Sequence, residues 1–375
     1  MAEATDTRTS WTSWTTITPV LAMVVLAVSW GRYPNTVVAL LIGVFLVGAV
    51  LAAVHHAEVV AHRVGEPFGS LILAVSVTVI EVALIVTLMV SGEKDTSGLA
   101  RDTVFAAVMI SVNGIVGVSL VVGALRQRNA DALAVFNAEG SGSALATVIT
   151  LATLTLVLPR FTTSEAGPEF SPSQLAFAAV ASLLLYAMFV FTQTVQHRDF
   201  FLPVEHGRDG LPDEDHDGHA DPPSARAALI SAALLVVALV AVVGLAKVES
   251  PSIEDVVAAI GFPHAFVGVV IALLVLLPES ISAVRAARRG RVQISLNLAY
   301  GSAMASIGLT IPTIAVASIW LDGPLALGLG ETEMVLLLLS VIVGVLTVVP
   351  GRAKPLMGGL HLAILAAYIF LTISP

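Results

Sequence analysis

The sequence predicts an all-α integral membrane protein of about eleven transmembrane helices: one leading helix and two five-helix repeats inserted in opposite directions. Three observations carry that reading. Of 375 residues, 57% are hydrophobic and only 12% charged, with a mean hydropathy of +0.93, whereas soluble domains carry about 25% charged residues. The apolar residues fall into separate runs, each long enough to cross a bilayer and bounded by polar or Gly/Pro-containing turns. Finally, each half of the chain places a single glutamate inside such a run, Glu81 in the first and Glu279 in the second.

The runs follow in order. The first covers 17–31 and is the shortest; Gly31-Arg32-Tyr33-Pro34 separates it from the second at 35–54. The third, 67–91, contains Glu81, and the polar loop SGEKDTSGLARD leads to the fourth at 103–125. The fifth at 141–159 and the sixth at 173–195 complete the first half. After an acidic linker come runs at 226–247, 264–286, 292–320, 333–349 and 355–373. The domain division is therefore 1–33 for the tail and first helix, 34–196 for the first repeat, 197–225 for the linker and 226–375 for the second repeat.

Charge and composition narrow the function. The absence of cysteine excludes disulfides, thiolate metal sites and cysteine nucleophiles. The N-terminal MAEATDTRTSWTSW lacks the basic region and small-residue cleavage site of a signal peptide, so the first run is expected to be kept as a span. The net charge of −9 is mostly local, because eight acids crowd into 199–221. Thirteen of the eighteen Lys and Arg residues fall in loops on the N-terminal side of this helix plan. By the positive-inside rule, the N-terminus and linker are expected in the cytoplasm and the C-terminus outside the cell membrane. The bilayer, cations and protons are the expected partners, nucleic acid is not, and the sequence sets no oligomeric state.

Superimposing Glu81 on Glu279 also brings Phe68 onto Phe266; in the next helix Asn113 falls on Ser302 and Gly117 on Ser306. Each half holds five helices, an odd number, so the halves must insert oppositely. Inverted repeats with polar groups near the membrane midplane are a transporter plan, and the site lies where the repeats meet. A carboxylate at that depth costs several kcal/mol and faces a bundle interior or a cavity. Thr78 lies one turn before Glu81, and Ser282 lies one turn after Glu279. Pro278 lacks an N–H and frees a carbonyl near Leu274. Asn113, Ser302 and Ser306 add an amide and hydroxyls from the following helices, with Gly117 and Gly301 permitting close packing. The result is a hard, oxygen-only ligand set centred on Glu81 and Glu279, suited to Ca²⁺ and, less selectively, Na⁺ or K⁺. Without a cation, burial and mutual repulsion keep protons on the acids; a divalent cation between them expels those protons. Competition for one seat that opens to each side in turn is exchange.

The stretches GEPFGSLILAVSVTVIEVALI, FNAEGSGSALATVITLATLTLVLP and LPESISAVRAARRGRVQISLNLAYGSAMASIGLTIP resemble the ChaA-type cation/proton antiporters. These belong to the calcium/cation antiporter superfamily, with the CAX-type Ca²⁺/H⁺ exchangers. The resemblance runs from about residue 55 to 320. It implies a sodium/calcium-exchanger-like fold of one leading helix plus two inverted five-helix repeats. It also implies that Glu81 and Glu279 are the acidic cation-site residues, with Ser302 and Ser306 on the helix after the second acid. Many exchangers of this group carry Asn three residues before each acid; here those positions are Thr78 and Leu276. That departure leaves Na⁺ and K⁺ open beside Ca²⁺.

Other candidates are secondary. Asp213, Asp215, Asp217 and Gly218 open like an EF-hand loop, but the twelfth position is Ser224 rather than Glu. A solvated acidic linker is the plain reading, and a cytoplasmic calcium sensor is the alternative. His55, Glu58 and His62 share one helical face; the plain reading is a juxtamembrane helix at the cytoplasmic interface, and a metal site or a proton-entry role for His62 are the alternatives. Glu139 is either a vestibule acid or a favourable charge at a helix start. His361 reads as a packing residue. The expected function is a secondary antiporter, not an enzyme and without a cofactor, that expels Ca²⁺, with Na⁺ or K⁺ as alternatives, against protons. The rival class is a cation channel that uses the same acids as a permeation site.

Overall fold

The computed structural model describes residues 13–32, 36–65, 68–91, 96–126, 133–203, 223–320 and 324–375. Among them run eleven principal helices: α1 Trp14–Ser29, α2 Thr36–Val64, α3 Phe68–Ser91, α4 Leu99–Arg126, α5 Ala138–Arg160 and α6 Pro172–Gln196, then α7 Ala225–Ala259, α8 Phe266–Arg288, α9 Val292–Ala317, α10 Glu331–Val348 and α11 Pro355–Ile373. Ten are long and apolar enough to cross a membrane. The exception is α1, whose 16 residues rise about 24 Å, less than the roughly 30 Å hydrocarbon core.

Most helix ends fall within three residues of the sequence expectation; α4 starts four residues early, at Leu99, and two other ends depart further. Helix α2 continues past 54 to Val64 because neither Gly nor Pro intervenes before Gly65, which takes φ +78° and donates its N–H to the Ala61 carbonyl. Helix α7 continues past 247, through Pro251, to Ala259. In both, hydropathy falls before helical geometry does: leaving the bilayer and ending a helix are separate events. A short antiparallel pairing also joins β1, Ala134–Val135, to β2, Arg352–Ala353. Two-residue strands leave no periodicity to read.

The helices pack as two compact units. The first holds α1, α2, α3 up to Ile80 and α7 up to Glu249. Within it, Leu26 of α1 fills the space over Gly244 of α7 that a Cβ would need, and Lys247 Nζ sits 5.4 Å from the Trp30 ring centre. His56 Nε2 meets the Thr15 carbonyl at 3.0 Å, tying α2 to α1. Val37, Leu40 and Val44 form an exposed apolar stripe on α2, the surface expected against lipid.

The second unit holds α3 from Glu81, α4 to α6, α7 from Ser250, and α8 to α11. Helix α4 is its most enclosed span, packing against α8, α9 and α11. Glycines set that closeness: a Cβ on Gly117 would lie 2.9 Å from the Gly358 carbonyl of α11, and one on Gly268 of α8 would lie 2.9 Å from the Asp102 backbone. Ser119 of α4 hydrogen-bonds Ser295 of α9, whose hydroxyl donates to the Ala283 carbonyl of α8 at 2.7 Å. Three spans carry a widened π-helical turn: Ile110–Ile115 in α4, Thr153–Val157 in α5 and Thr192–Gln196 in α6.

Candidate functional site

Glu81 lies in α3, a helix with no other ionisable group, and is 2% exposed. The helix around it is held by a cluster of Ile85, Ala100 and Ile314, with Val82 and Val86 against it. This apolar contact fixes the rotation of α3 and turns Glu81 toward α9. There, Ser306 Oγ donates to Glu81 Oε2 at 3.0 Å. The other oxygen, Oε1, is buried and has no hydrogen-bond partner among the described residues. Glu279 of α8 is near enough for its charge to act on Glu81.

Helix α9 is interrupted beside this carboxylate. Regular geometry ends at Gly308, Leu309 departs to φ −110°, and the helix resumes at Thr310. The cause lies in the sequence: Pro312 has no N–H to offer the Gly308 carbonyl. Thr310 follows the break, fully buried, with its hydroxyl toward Glu81 but short of hydrogen-bond geometry. Sequence reasoning missed Thr310. The available signal was its place four residues after Ser306, which itself lies four after Ser302.

The structure thus brings Glu81, Glu279 and Ser306 together and adds Thr310. Thr78, one turn before Glu81, is buried with a hydroxyl that has no partner among the described residues. Ser302 and Ser282 are half-buried, one turn from Ser306 and from Glu279 respectively. Gly301 does not pack closely as expected: a Cβ there would meet nothing within 4 Å. Asn113 points to other partners. Its Nδ2 donates to Ser340 Oγ at 2.8 Å, and its Oδ1 lies 3.1 Å from His361 Nδ1. His361 is correspondingly a hydrogen-bonding centre rather than an inert packing residue.

Glu139 is exposed in the first turn of α5, where Asn137 Oδ1 caps the helix by accepting from the Glu139 and Gly140 amides at 2.9 and 3.0 Å. His62 is exposed in the last turn of α2. Among the described residues no group of three or more His, Asp or Glu side chains could hold a metal, which removes the metal reading of His55, Glu58 and His62. Asp213, Asp215 and Asp217 lie outside the described residues.

The model of the sodium/calcium exchanger protein family matches residues 34–195 and 230–374. The chain belongs to the sodium/calcium exchanger family. This exchanger is 44% identical over 366 residues to y4hA of Sinorhizobium fredii (strain NBRC 101917 / NGR234), covering 98% of this chain and 96% of the relative, whose name gives a provisional assignment as an ionic transporter. It is 36% identical over 355 residues to the sodium-potassium/proton antiporter ChaA of Escherichia coli (strain K12), covering 94% and 93% of the two chains. Among solved structures, the exchanger matches YfkE, a Ca²⁺/H⁺ antiporter protein, with a TM-score of 0.70 at 16% identity over 96% and 99% of the chains. It matches the H⁺/Ca²⁺ exchanger CAX with a TM-score of 0.64 at 17% identity over 96% and 91%. The last two share its fold. The exchanger is therefore a multi-pass membrane transporter of cations, in a family of transporters rather than enzymes.

Proposed function

We propose that this exchanger moves a cation against protons across the cytoplasmic membrane, with Glu81 and Glu279 binding both. The observation that carries the reading is the Glu81 carboxylate itself: buried, supported by one hydroxyl, one oxygen unpartnered among the described residues, and a second acid in electrostatic range. A bare charge so placed would cost several kcal/mol. The site is therefore occupied in one of two ways, by protons on the acids or by a cation between them. A cation displaces the protons, and alternate opening to the two sides converts displacement into exchange.

The donors are all hard. Two carboxylates, Ser306 and Thr310 form the centre, with Thr78, Ser302 and Ser282 a turn away and carbonyls of Leu274 and Gly308 released by Pro278 and Pro312. That number of oxygens suits Ca²⁺, which takes six to eight. Ca²⁺ is the first assignment. Na⁺ and K⁺ form the second, favoured by Thr78 and Leu276 in place of amide ligands and by the name of the ChaA relative. We take 34–196 and 226–375 as inverted repeats about a cytoplasmic linker; one family model matching both segments supports this division.

The test is proton flux in proteoliposomes with a trapped pH dye. After a pH gradient is imposed, Ca²⁺, Na⁺ or K⁺ is added to wild type, Glu81→Gln and Glu279→Gln. Dissipation by one cation in wild type and in neither variant supports the reading and ranks the cations. Cation flux with no proton movement would favour a channel and sink the exchange.

A further inference from the structure

A buried polar cluster in the second unit joins α4, α10 and α11. His361 of α11, fully buried, has Nδ1 3.1 Å from Asn113 Oδ1 and Nε2 3.2 Å from Thr347 Oγ1 of α10. Asn113 Nδ2 donates to Ser340 Oγ at 2.8 Å, and Ser340 donates to the Leu336 carbonyl at 2.7 Å. With the Asn113 amide nitrogen spent on Ser340, its oxygen accepts from His361 Nδ1–H, and a neutral ring then accepts at Nε2 from Thr347. The ring also faces the Val112 carbonyl. Asn113 and Val112 belong to the π-helical turn of α4, where the regular i to i−4 ladder is lost. The close approach of α11 at Gly114, Gly117 and Gly358 is what lets the imidazole reach that turn.

The π turn packs against α10 and α11 and also against α8 and α9, the helices that carry Glu279 and Ser306. Two residues from Asn113, Ser111 leaves the turn on another side, fully buried, with a hydroxyl that has no partner among the described residues. We propose that His361 is a positioning residue for cation binding: by clamping Asn113 and the Val112 carbonyl, it sets the rotation of the α4 turn that supports α8 and α9. The inference rests on the exchange reading for its cargo. It explains why a polar network stands within apolar spans with no place in the ligand set.

The experiment compares wild type, His361→Leu and His361→Gln in two assays: cation half-saturation of proton flux, and the rise in thermal midpoint of purified protein on adding Ca²⁺, Na⁺ or K⁺. Glutamine keeps a donor and an acceptor; leucine keeps neither. His361→Leu is expected to raise half-saturation about tenfold, the scale of one lost hydrogen bond, with less change in maximal rate. His361→Gln is expected to recover most of that loss. Should His361→Leu fail to fold, Asn113→Leu/His361→Leu removes the polar partner as well and takes its place. A folded leucine variant with wild-type half-saturation overturns the proposal, as does a loss that follows cation-free thermal stability alone in both variants. If no protein moves protons, yet cations stabilise wild type and not His361→Leu, the exchange reading fails and the positioning role stands.

Discussion

Two buried polar groups in the second unit differ in one respect: how completely they are satisfied. Around His361, imidazole, amide and two hydroxyls meet one another at 2.8 to 3.2 Å, from three helices. Around Glu81, one serine serves one carboxylate oxygen, and the second oxygen and the Thr310 hydroxyl have no hydrogen-bond partner among the described residues. A satisfied network rigidifies the helices that make it, whereas an unsatisfied one costs free energy unless something else enters. On the proposed reading, the first cluster is framework and the second a seat for cargo.

The largest effect that would break this contrast comes from the acids. Glu81→Gln and Glu279→Gln are each expected to lower cation-driven proton flux at least about 100-fold while the protein stays folded, since each removes a carboxylate, buried at Glu81 and half-buried at Glu279, rather than a packing group. If only one loses transport, the two-carboxylate site is wrong. The framework side is broken differently. Gly117→Leu drives a side chain into the Gly358 backbone and should destabilise by about 1–3 kcal/mol, read as a lowered thermal midpoint. The site should respond in finer steps. Ser306→Ala is expected to raise cation half-saturation about tenfold, and Thr310→Ala two- to threefold, because only Ser306 is within bonding distance. Equal effects would mean that Thr310 closes on the cation. Last, Glu139→Gln should change half-saturation less than about twofold, since an exposed acid at a helix start supplies only screened attraction. A larger loss would make it part of the ion path.

Legibility followed the strength of the physical signal. Helices α3, α8 and α11 begin and end almost where hydropathy places them, because water-to-lipid transfer acts on every residue of a span. The extensions of α2 and α7 escaped because they leave the apolar region while remaining helical, and β1–β2 escaped because it is two residues long. At the site, Glu81, Glu279 and Ser306 were visible as polar groups in apolar runs. Asn113 gave the same signal, yet its bonds go to Ser340 and His361. One threonine among many, Thr310 gave almost none, although Pro312 marked the break beside it.

The sequence by itself determined that the chain lies in a membrane, how many helices it has, and which side chains are too costly there to be idle. Composition and period set these, and both are properties of the chain alone. Only the tertiary structure decided which of those side chains meet. Helix rotation and approach are set by contacts between distant segments, such as Ile85 with Ile314 and Gly117 with Gly358. Such contacts turn Asn113 toward Ser340 and His361.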